Sequence, residues 1–150
     1  MPRQKNTGGE SLIMSHTFEF KHALTFTPDA DTAITKTHTV TITEEVLVSL
    51  SVQVADSTTD DEHALAIDVS ELSAFFAVSS QNVTIETNDG DAPDDTITLT
   101  ANVPWIWHTS MPDAVTPYTC PLGTDVTAVF ITNAGGTAAD VEIYAALTSA

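Results

Sequence analysis

Apolar and polar residues alternate with a period of two along nearly the whole chain, the pattern of strands that bury one face. Phe18, Phe20, His22, Leu24 and Phe26 alternate with Thr17, Glu19, Lys21, Ala23 and Thr25, which predicts a first strand with an aromatic face. Pro28-Asp29-Ala30-Asp31 predicts a turn. Thr37–Thr43 sets threonines against His38, Val40 and Ile42. Val46, Val48, Leu50, Val52 and Val54 then alternate with Leu47, Ser49, Ser51 and Gln53. Glu44-Glu45 shifts the register between these two runs, so a bulge or short turn is expected there.

Further along, Asp56–Glu62 reads as a polar, acidic loop and His63–Val69 as a short strand. Leu72–Ser79 (LSAFFAVS) is apolar almost throughout and would suit a helix. Its phenylalanines and valine, with Gln81-Asn82 close behind, favour a buried strand. Val83–Thr87, Thr96–Thr100 and Val103–His108 read as strands, with a turn-rich Asn88–Asp95 loop among them. Thr109–Gly123 carries Pro112, Pro117, Pro121 and Gly123 and reads as a long connection. Asp125–Thr132 and Asp140–Leu147 flank an Ala134-Gly135-Gly136-Thr137 turn. Leu72–Glu86 and Val126–Ile143 share an order of Ala-x-Phe strand, polar turn and Val-x-Ile strand. They are expected to be two hairpins of one design, one in each of two packed sheets.

Short alternating strands must pair their apolar faces to keep them dry, so the expected fold is all-β: an antiparallel β-sandwich, jelly-roll-like, with about eight strands. A single domain over residues 15–150 fits the 150-residue length, since a chain of this size can bury roughly 68–70% of its unfolded surface. Residues 1–14 differ in composition and are expected to be a flexible arm. Alternatively the native start is Met14, because codons for Gly8-Gly9-Glu10 could spell a ribosome-binding sequence just upstream of it.

Charge narrows the partners. The chain has 21 acidic residues against 4 basic ones, a formal net charge of −17. Such a surface repels phosphate backbones and anionic leaflets alike, so neither nucleic acid nor membrane is an expected partner. No run approaches the roughly 18 apolar residues of a membrane span, and no signal-peptide pattern follows Arg3 and Lys5. Cys120 is the single cysteine and is expected to be a small apolar residue rather than a nucleophile.

No motif carries chemistry. His108, Ser110 and Asp113 lie close in sequence but lack a nucleophile elbow or oxyanion loop. His16, His22, His38, His63 and His108 show no zinc spacing, although His22 and His38 could meet across strands. The clusters Asp56, Asp60, Asp61, Glu62 and Asn88, Asp89, Asp91, Asp94, Asp95 could offer oxygens to calcium, which takes about six to eight. Their spacing matches no calcium loop, and solvated acidic turns are the expectation. No enzyme activity, metal or cofactor is therefore expected. Trp105 and Trp107 share a strand face and are expected mainly in the core. With His108 and Tyr118, beside and within the long connection, they are also the candidate contacts for a partner protein or glycan.

The order LSAFFAVSSQNVTIETN, then APDDTITLTANVPWIWH, then GTDVTAVFITNAGGTAADVEIYA resembles small β-rich virion proteins of tailed bacteriophages. In those proteins a "VT-x-hydrophobic-x-hydrophobic-TNA" strand, a small-residue turn and a final "VEI" strand close the chain. The resemblance covers Val69–Leu147. It implies a head-decoration (cement) subunit that binds the major capsid protein or other virion proteins in many symmetric copies, with trimers the expected oligomer. It carries over no active-site residues. Two other classes remain: a tail or adsorption module that binds a host glycan, and a small cellular carbohydrate-binding or extracellular β-module.

Overall fold

The computed structural model describes residues 15–26, 34–111 and 119–149. Ten strands run through them: β1 (His16–Phe26), β2 (Ile34–Glu44), β3 (Val46–Val54), β4 (Thr58–Ile67), β5 (Leu72–Ser79), β6 (Val83–Thr87), β7 (Thr96–Leu99), β8 (Trp105–His108), β9 (Val126–Asn133) and β10 (Ala139–Leu147). A single 3₁₀ turn, Val69–Glu71, separates β4 from β5.

The last eight strands form four nested antiparallel pairs: β3 with β10, β4 with β9, β5 with β8 and β6 with β7. The nested ribbon is then rolled up, so that β10 also pairs with β5 and β6 with β9. Two four-stranded sheets result, ordered β3-β10-β5-β8 and β4-β9-β6-β7. This is the strand order of a jelly roll, and it confirms an antiparallel β-sandwich. Side chains from both inner faces fill the space between the sheets. Val54, Val141 and Ile143 of one sheet meet Ile85, Leu99 and Ile131 of the other, all at least 98% buried. The alternation that predicted strands is plain in β6 and β7, where every second residue is buried.

The remaining two strands, β1 and β2, pair along their full 11-residue lengths as a separate two-stranded ribbon. The ribbon lies on the outer face of the β3-β10-β5-β8 sheet, where Phe20 and Ile42 pack on Ala74 and Ala146, with Phe18, Val40 and Ile106 half-buried around them. The expected break at Glu44-Glu45 is real: Glu45 is a bend between β2 and β3, and it lets the ribbon fold back over the sheet.

This covering explains LSAFFAVS. Leu72, Ser73, Ala74 and Phe75 are all buried, as are Ala145, Ala146 and Leu147 at the end of β10. Where the ribbon lies over the sheet both of its faces are dry, so the period of two disappears and the run reads like a helix.

The sandwich has the expected eight strands, and β1 and β2 stand outside it. Two expectations need correction. The Asp56–Glu62 segment is not all loop, because β4 begins at Thr58. Its ladder with β9 is interrupted there, with a register shift between Thr58 and Asp61 and a φ of 53° at Asp60. That bulge spoils the alternation which would have marked a strand. Finally, the two repeated units are not hairpins. β5 and β6 lie in opposite sheets, and so do β9 and β10; each unit is an arch over the edge of the sandwich. The turn of the second arch contains Gly136 at φ +57°, a left-handed conformation that glycine adopts without steric cost. The readings placed on residues 1–14, on the 28–31 turn and on Tyr118 lie outside the described residues.

Candidate functional site

β8 is an edge strand, and its alternation sends its residues to two different places. Trp105 and Trp107 face inward and pack, half-buried, against the main core. The Trp105 ring meets Phe75 edge-on at 6.4 Å between centroids. Ile106 and His108 face outward beneath the ribbon, in register with Phe76 and Ala74 of β5. Of the candidate contact residues, the structure thus brings Trp105 and Trp107 together on the inner face and puts His108 on the other side.

His108 is the most unusual polar residue among those described. Only 2% of it is exposed, and neither Nδ1 nor Nε2 has a hydrogen-bond partner. Its ring lies 4.8 Å from that of Phe20 and 6.0 Å from that of His22. His22 stands directly opposite His38 in the β1–β2 ladder, so the anticipated cross-strand meeting occurs, with a third histidine below it. Burial pulls the His108 imidazole below its ordinary pKa, and His22 and then His38 add to the effect. A catalytic histidine needs a neighbour to orient it. His108 has none among the described residues, and Asp113 of the sequence cluster lies outside them.

Beside this contact runs an aromatic groove of about 310 Å³, lined chiefly by Phe18, Phe20, Phe76, Ile106 and Tyr144. The Phe76 and Tyr144 rings lie 6.2 Å apart. No pattern along the chain pointed to this groove, because it needs the outer positions of β5 and β10 to be aligned with the ribbon.

The two acidic clusters become one surface. Gly90 sits so close to Asp60 that a Cβ there would come within 2.9 Å of its Cγ. An open basin of about 280 Å³ lies between Asp60, Asn88, Asp89, Gly90, Asp91 and Phe130. Burial, then Asp60 and Asp91, raise the Glu86 carboxyl above its ordinary pKa. Several of the side chains hold the loop itself. Asp89 accepts from the amides of Asp91 and Ala92, Asp95 accepts from those of Gly123 and Thr124, and Asn88 binds Asp94, the Asp125 carbonyl and the Thr127 amide. Among the described residues no group of three or more His, Cys, Asp or Glu side chains is placed to hold a metal ion. Cys120 is half-buried against the core, and burial pushes its thiol pKa up, away from the reactive thiolate.

Charge is segregated as well. Lys36 is the last Lys or Arg of the sequence. The formal charges of the jelly roll at neutral pH are therefore all acidic, and Lys21 and Lys36 both lie on the ribbon. Compared with known proteins, the chain matches no family model, no curated protein and no solved structure.

Proposed function

We propose that this protein is a structural virion component, a capsid decoration subunit that binds the outside of a shell and stabilises it. The observation that carries the reading is the jelly roll whose sequence holds neither Lys nor Arg. Jelly rolls serve as viral capsid and lectin domains, and fold alone does not choose between such roles. The charge favours an outer position, since a wholly acidic body would be repelled by packaged nucleic acid. A subunit that binds only the assembled shell stabilises it by mass action. Many identical copies on a symmetric shell call for a homo-oligomer, and a trimer suits local threefold positions.

The resemblance of residues 69–147 to phage virion proteins supports the same reading, and the structure supplies a reason for the "TNA" element in it. Asn133 is fully buried at the end of β9. Its amide donates to the carbonyls of Val54, Ala55 and Thr137 and accepts from the Gly135 amide, tying the last arch to β3. The glycan-binding alternative draws on Trp105, Trp107 and the 109–123 connection, and the inward packing of the two tryptophans makes them poor platforms for a sugar.

The decisive experiment deletes the gene from the virus that encodes it. Particles lacking the protein should assemble but lose resistance to heat and osmotic shock, and added purified protein should restore it. Particles of unchanged stability would overturn the reading.

A further inference from the structure

The attachment of the ribbon to the sandwich is a small contact with a titratable group at its centre. His108, Ala74 and Ala146 form one row across three strands, Ala74 pairing with both of the others. Phe20 and Ile42 sit on this row and seal His108 from water. An imidazole without partners tolerates such a place only while it is neutral. When either ring nitrogen takes a proton from solvent, the resulting cation is shut off from bulk water and finds no acceptor among the described residues.

The surroundings make that charge less welcome. From β1 the nearest group is His22, with Lys21 beyond it in an ion pair with Glu19. From β2 comes His38, opposite His22, with Lys36 next on the same side of the ladder. β5 contributes Ala74 and β10 contributes Ala146, with Tyr144 and Glu142 farther along that strand. β8 has no other titratable residue. At the root end of the ribbon, His16 and Glu44 form an opposed pair beyond Phe18 and Ile42. Among the described residues no carboxylate stands close enough to His108 to hydrogen-bond it. The Phe20 ring can return part of the cost as a cation–π contact, but it is not an acceptor for two N–H groups.

We propose that the β1–β2 ribbon is an acid-released arm, docked on the jelly roll while His108 is neutral and expelled when His108 is protonated. The sign follows from linkage. The free arm leaves His108 in water at about its ordinary pKa of 6.5, whereas docking lowers it. Docking is therefore at full strength above about pH 6.5 and weakens as the pH falls below that value. Release exposes Ala74, Ala146 and Ile106 on the outer sheet face and Phe20 and Ile42 on the arm. The inference does not depend on the virion reading.

Amide hydrogen exchange of the whole chain at pH 7.5 and pH 5.0, corrected for intrinsic rates, tests it. β1 and β2 should lose at least tenfold in protection at pH 5.0, while β6 and β9 keep theirs. His108→Phe, which fills the same space without a titrating nitrogen, should keep the ribbon protected at both pH values. NMR titration of the His108 ring in the unaltered protein gives a second reading that needs no variant: its protonation should coincide with shifts in the β1 amides. Equal ribbon protection at both pH values would overturn the proposal. So would His108→Phe losing protection at pH 5.0 as the unaltered protein does, or a His108 titration that leaves β1 unmoved.

Discussion

Ala74 and Ala146 stand directly opposite each other on β5 and β10, and neither has any exposed surface. They are the floor on which the ribbon rests, and their small side chains let a second layer of backbone approach the sheet. Replacing Ala74 with Leu puts three more carbons into that contact. Overpacking of this kind costs about 1–3 kcal/mol, and here it should fall on ribbon docking rather than on the sandwich. Hydrogen exchange should show β1 and β2 losing protection while β6 and β9 are unchanged.

Asn133 is the polar staple of the sandwich. Asn133→Ala leaves three carbonyls and one amide near the core without their partner. An unsatisfied buried polar group costs about 1–3 kcal/mol, so a loss of about 2–4 kcal/mol is expected in urea unfolding, with the m-value unchanged. Asn133→Asp should be no better, because an ionised carboxylate cannot donate to carbonyls.

Glu86 has the opposite character. Its carboxyl pKa is raised by burial and by Asp60 and Asp91, so the folded state holds the proton more tightly than the unfolded chain does. Stability from this group is fully present below the unfolded value of about 4.3 and is lost as the pH rises through the folded value. Glu86→Gln should therefore raise the thermal midpoint at pH 7, and the advantage should disappear at about pH 4. Thermal scans across that range check it.

The acidic body should respond to salt. With 21 acidic residues against 4 basic ones, self-repulsion opposes the compact state, and salt screens it. Raising sodium chloride from about 10 mM, where the Debye length is about 30 Å, to about 1 M, where it is about 3 Å, should raise the thermal midpoint. A midpoint that falls would mean that specific ion pairs outweigh the repulsion.

The strands of the sandwich were legible in the sequence because inward and outward residues alternate wherever one sheet face is wet. Val83–Thr87 and Thr96–Leu99 show this plainly, and the inward packing of Trp105 and Trp107 followed from the same parity. The chemistry of the acidic loops was legible only as composition. That Asp60, from one cluster, lies against Gly90 in the other depends on β4 and β6 both flanking β9.

What the tertiary structure alone decided is where each strand went. Alternation fixes which side chains share a face but not which sheet a strand joins, so β5-β6 and β9-β10 read as hairpins when they are arches between sheets. It also cannot tell a buried face from one covered later by a distant segment. His108 continues the β8 alternation on its polar side and would be wet in the sandwich alone. It is dry because a ribbon more than sixty residues earlier folds onto it, and that non-local contact gives the only buried, partnerless histidine among the described residues its consequence.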